Sequence, residues 1–114
     1  MEPSKSFRNS LSALIGAILG APGDTLPALR SAVGERAAEL GGRPGAKTVQ
    51  LPQPLAAFVD KVALHAYKIT DEDVGLLRQS GYSEDAIFEL TLSAALGSGM
   101  ARLERGRAAL KAGK

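Results

Sequence analysis

Cysteine and tryptophan are absent from the 114-residue chain, and histidine occurs once, at His65. The first absence excludes thiol catalysis, disulfides, Fe–S clusters and any zinc site that uses cysteine. A single histidine leaves carboxylates alone to complete a metal site, so neither a metal nor a cofactor is expected. Aromatic residues are only 4% of the chain, too few for a platform on which nucleic-acid bases stack. No apolar run reaches the ~20 residues of a transmembrane helix. The sequence also lacks a phosphate-binding loop, a GxSxG elbow, an HExxH pair and an EF-hand loop.

What remains is globular in composition, with 45% hydrophobic and 23% charged residues, so the chain is not disordered as a whole. Its core must be built from Ala, Leu, Ile and Val, and its length fits a single domain over residues 1–114. Net charge is only +2. The basic excess gathers at the end, where Arg102, Arg105, Arg107, Lys111 and Lys114 outweigh Glu104. Such a cluster fits a nucleic-acid or membrane contact, or a solvated helix end whose cations complement the dipole. The second reading needs no partner, so neither nucleic acid nor membrane is expected.

Lys5 and Arg8 precede an apolar run, Leu11 to Ala21, that imitates a signal peptide. Gly16 and Gly20 interrupt it, however, and Phe7, Leu11, Leu14, Ile15, Ile18 and Leu19 recur at helical spacing. An amphipathic core helix and a cytoplasmic protein are expected.

The patterning predicts five helices and no strand. The first spans Lys5 to Leu19 and stops at Gly20, Pro22 and Gly23. Asp24 offers an N-cap for the second, which runs to Leu40 and ends at Gly41 and Gly42. Residues 41–53 are rich in Gly and Pro and read as a connecting loop, functional or merely connecting. The third helix starts near Pro54, with Leu55, Phe58, Val59, Val62, Ala66 and Ile69 on one face. Thr70 and Asp73 make a capping-box variant for a short fourth helix that stops at Gly81. Ser83 caps the fifth, Glu84 to Leu110. That helix has two apolar stripes: Ile87, Leu90, Ala94, Ser98 and Ala101 on one side, Phe88, Leu92, Leu96 and Leu103 on the other. A helix apolar on both sides needs cover on both, which predicts a homo-oligomer through Glu84 to Leu110. Ser93, Gly97 and Ala101, spaced by four, allow another helix to come close.

Three residues have the chemistry of a catalytic site. His65 titrates near neutrality and serves either as a general acid/base or as a packed boundary histidine. Glu89, set among apolar residues, is a proton carrier with a raised pKa or a carboxylate paired with an arginine. Arg102 and Arg105 offer that pairing or an anion contact. Tyr67 is a candidate ligand contact and shares a flank with Asp60, where the two either form a hydrogen-bonded pair or simply face solvent.

The stretch from Leu55 to Leu110, with ITDEDVGLLRQSGYS followed by DAIFELTLSAALGSGMARL as its carrying pattern, resembles the C-terminal half of AhpD-like proteins, a superfamily that includes the carboxymuconolactone decarboxylases. The resemblance covers about half of the chain and implies an all-α orthogonal bundle that forms oligomers. The family's peroxidases use a CxxCxxxH motif, which alignment on Gly81 puts at Ala66, Ile69 and Asp73. None is the required residue, so thiol peroxidase activity is not expected. The resemblance implies a non-redox oligomeric binding or assembly component, with a partner chain possible. The alternative is a cofactor-free lyase or isomerase acting on a small carboxylated metabolite.

Overall fold

A computed structural model describes residues 23–45 and 48–113, together with the isolated positions 9 and 13. The helix expected between Lys5 and Leu19 thus lies outside the described residues. Among the described residues every regular element is helical: α1 (Pro27–Leu40), α2 (Leu55–His65), a 3-10 turn (Ala66–Lys68), α3 (Asp71–Gln79) and α4 (Glu84–Ala112). At 1.5 Å per residue α4 is about 43 Å long, most of the molecule's 50 Å long dimension.

The helix ends follow local chemistry. Pro27 opens α1, where its missing N–H costs nothing. The N-cap is Leu26, without a side-chain bond, rather than the expected Asp24. Asp24 is engaged elsewhere: its N–H donates to Glu89 and its carboxylate accepts from the Ser83 hydroxyl. After α1, the Arg43 N–H bonds to the Ala38 carbonyl and the Gly42 N–H to Glu39. Gly42 has φ +92°, and these two bonds make a Schellman termination. The pattern repeats after α3, with Tyr82 N–H to Leu77, Gly81 N–H to Arg78, and φ +102° at Gly81. The Thr70–Asp73 capping box forms in full, and the Ser83 hydroxyl accepts from the Ala86 N–H.

The third expected helix does break early. α2 ends at His65 (φ −148°, ψ 55°), and the chain turns through Ala66–Lys68 before α3. Arg102 donates to the Ala63 carbonyl at this end, giving a partner to an acceptor in the last turn of α2. Ala66, projected onto the apolar face, is consequently exposed, while Ile69 still packs against the core.

α1 packs along α4, with α2 against both and α3 in lighter contact. Val33 and Ala37 of α1, Leu55, Val59 and Val62 of α2, Leu77 of α3 and Ile87, Leu90 and Ala94 of α4 form one cluster. Each fully buried aliphatic side chain contributes about 1.5–3 kcal/mol. The α1–α4 seam is tight because both helices offer glycine: a Cβ on Gly97 would lie 2.9 Å from the Gly34 Cα. Ser93 and Ala101 are buried along the same side, so the small-residue spacing of α4 serves contact within the chain.

Candidate functional site

Glu89 organises the most elaborate polar cluster. Its carboxylate accepts the Asp24 N–H at 2.8 Å, the Thr25 N–H at 2.9 Å and the Thr25 hydroxyl at 2.6 Å. The guanidinium of Arg30, almost wholly buried, lies 3.8 Å away. Gly23 must be glycine or shift, since a Cβ there would come 2.6 Å from a carboxylate oxygen of Glu89. The Thr25 hydroxyl chiefly, then the Asp24 amide, hold the Glu89 pKa below the ordinary carboxylate value against the opposing effect of desolvation. A group with a lowered pKa keeps its charge at neutral pH, unlike the raised-pKa proton carrier that its apolar neighbours predict. Its cation is Arg30 of α1, not Arg102 or Arg105. Glu89 anchors the chain entering α1, in the manner of a helix cap supplied from 64 residues away.

His65, Tyr67 and Arg102 lie at the far end of α2, and Arg105 at the end of α1. His65 is exposed and meets the Tyr67 ring edge-on, with centroids 6.0 Å apart. Tyr67 is 80% exposed, with the Lys68 ammonium 5.8 Å from its ring centre. Arg102 belongs to this end through its bond to Ala63. Arg105 lies against Gly42, where an added Cβ would come 2.7 Å from the Arg105 Cδ. The structure therefore brings Arg102 to the end of α2 that carries His65 and keeps Glu89 apart. Thirteen residues of continuous helix separate Glu89 from Arg102, about 20 Å along the axis. One small metabolite cannot touch both.

Asp60 is not joined to Tyr67. Arg36 grips it with two hydrogen bonds, at 2.6 and 2.9 Å, and donates a third to the Val49 carbonyl at 2.8 Å. The hydrogen bond to Asp60 raises the Arg36 pKa further above its already high ordinary value. Lys61 similarly bonds Asp73 at 2.9 Å, ties α2 to the start of α3, and lowers the Asp73 pKa. Neither pair carries a local sequence signal; each joins segments that only the fold brings together.

A surface cleft of about 370 Å³ lies between Asp24, Thr25, Leu26, Tyr82, Ser83 and Ala86. Its carboxylate, Asp24, already accepts from Ser83. Among the described residues no three His, Asp or Glu side chains gather as a metal site. No helix of the described residues is long and apolar enough to cross a membrane.

The outer side of α4 completes the picture. Phe88 is 67% exposed, Leu110 51% and Leu103 40%, while Leu92 and Leu96 are half-buried. Leu64 of α2 is exposed as well. Comparison of the chain with family models, curated proteins and solved structures finds no match.

Proposed function

We propose that the protein is a non-redox, AhpD-like assembly or binding component of the cytoplasm that acts as a homo-oligomer through α4. One observation carries the reading: α4 buries one apolar face inside the chain and presents a second to solvent, with Phe88, Leu103 and Leu110 exposed. Isolated exposed apolar residues are ordinary, but a row along one helix marks a contact surface. The all-helical arrangement and the resemblance of residues 55–110 to AhpD-like chains support the same reading. The form of the catalytic alternative that uses Glu89 loses support, because Glu89 is committed to Thr25 and Asp24 and lies about 20 Å along α4 from Arg102. The form that pairs His65 with Arg102 keeps both groups at one end of α2.

The test is sedimentation equilibrium on the full chain from 1 to 500 µM. A concentration-dependent dimer or higher oligomer is expected, weakened by Phe88→Ala and Leu103→Ala. A monodisperse monomer throughout would defeat the proposal.

A further inference from the structure

Within the assembly reading just given, the outer face of α4 has enough pattern to define how two copies meet. At 100° per residue, Phe88, Leu92, Ala95, Gly99, Leu103, Gly106 and Leu110 fall within about 80° of arc. That arc lies opposite the buried residues Ile87, Leu90, Ala94 and Ala101. No charged residue falls among them, and the strip is about 33 Å long.

Two glycines in this strip have no explanation among the described residues. A glycine inside a helix costs about 0.5–1 kcal/mol relative to alanine. Neither Gly99 nor Gly106 has a positive φ, so the backbone does not require glycine there. A Cβ on either would meet nothing within 4 Å. Gly97, two residues before Gly99, is accounted for by the backbone of Gly34. Close packing by a second chain, against backbone at Gly99 and a large side chain at Gly106, would account for the other two.

We propose that two copies of the chain pair antiparallel through the outer face of α4, on a two-fold axis that passes beside Gly99. The spacing is symmetric about that residue. Reversing the strip sets Leu92 against the partner's Gly106, Ala95 against the partner's Leu103, and Gly99 against its own counterpart. Large residues thus enter the space left by small ones near the crossing. Phe88 faces the partner's Leu110 at each end, where crossed helices diverge and more volume must be filled. A parallel, in-register pair would oppose Phe88 to Phe88 and Leu92 to Leu92, and leave Ala95, Gly99 and Gly106 facing voids.

Charge selects the same orientation. α4 begins with Glu84 and Asp85 and ends with Arg107 and Lys111, whereas Arg105 lies on the inner side against Gly42. Antiparallel pairing brings the acidic start of one helix to the basic end of the other and opposes the two helix dipoles. Parallel pairing would bring like charges together.

The absence of native cysteine makes disulfide mapping unambiguous. Under mild oxidation of the full chain, Gly99→Cys is expected to give a disulfide-linked dimer, because the crossing brings the two Cα atoms within the ~4.4–6.8 Å that a disulfide spans. Phe88→Cys alone is expected to stay unlinked, whereas a mixture of Ala95→Cys and Leu103→Cys chains, nearer the crossing, links. Efficient self-linking of Phe88→Cys would overturn the antiparallel orientation. Dimers in sedimentation that do not link through Gly99→Cys would overturn this geometry and leave self-association standing. A monomer at every concentration, including one whose strip is covered by the chain's own residues 5–19, would overturn both. As a control on folding, Gly99→Leu is expected to raise the dimer dissociation constant at least tenfold without lowering the melting temperature of the monomer. A lower melting temperature would place Gly99 in an internal contact and also overturn the geometry.

Discussion

The two sides of α4 use the same residue types for opposite ends. On the inner side Ser93, Gly97 and Ala101 let α1 approach until the backbones of Gly34 and Gly97 nearly touch. Leu90 and Ala94 close the core beside them. On the outer side Gly99 and Gly106 are as small, but no described residue lies above them. Sequence alone reads both sides as apolar with small interruptions. Only neighbouring backbone separates a glycine that the fold already uses from one it leaves open, so the meaning of a small-residue spacing lies in what opposes it.

The largest test of this contrast compares two neighbouring positions. Leu90→Ala removes a fully buried side chain and is expected to lower stability by about 2–5 kcal/mol. Phe88→Ala, measured by urea denaturation of the dilute monomer, is expected to stay within about 0.5 kcal/mol of the parent. Equal losses at both would mean that the outer face is covered within the chain. A smaller effect separates the glycines. Gly97→Ala forces a Cβ into the Gly34 backbone and is expected to cost about 1–3 kcal/mol. Gly99→Ala is expected to stabilise the monomer by about 0.5–1 kcal/mol through helix propensity. Opposite signs by thermal melting would establish the distinction, and a loss at both would remove it.

The mildest test concerns Glu89, which lies between the two sides. Its pKa is lower in the folded chain than in the unfolded one. As pH falls through the ordinary glutamate range, about 4.3, the unfolded chain takes up the proton first. The stability that Glu89 supplies is complete above that range and is lost as pH falls toward the folded value. Glu89→Gln is expected to flatten the dependence of melting temperature on pH below about 4.5. Asp73, lowered for the same sign of reason, retains the rest of the slope. An acid limb unchanged in Glu89→Gln would show that the Thr25 contacts do not govern it.

Much of the fold is legible locally. The Thr70–Asp73 box, the Ser83 cap, the stops at Gly42 and Gly81 and the buried stripe from Ile87 to Ala101 all follow from residues a few positions apart. What escaped depends on chain brought from far away. The expected Asp24 cap fails because Glu89 and Ser83 use Asp24 differently. The end of α2 at His65 follows no strong breaker but coincides with a carbonyl bond from Arg102, 39 residues on from Ala63. Arg30 and Arg36, both in α1, became structural through partners that no spacing rule connects to them. His65, Tyr67 and Arg105 have suitable chemistry, but chemistry without placement does not make them neighbours of Glu89.

The Arg36 clamp bears on how much foreign sequence the chain can carry. Its hydrogen bond to Val49, with the Thr48 hydroxyl donating to Glu39 at 3.1 Å, fixes where the connector rejoins the helices. The Schellman bonds at Gly42 and Arg43 fix where it departs. Gly45, between these anchors, is exposed with φ +75° and no atom within 4 Å of an added Cβ. A peptide tag, a protease recognition sequence or a fluorescent reporter inserted after Gly45 would therefore lengthen a span already held at both ends. Lengthening such a span adds only about 0.6 kcal/mol of closure entropy per doubling, so the position is suited to carry cargo.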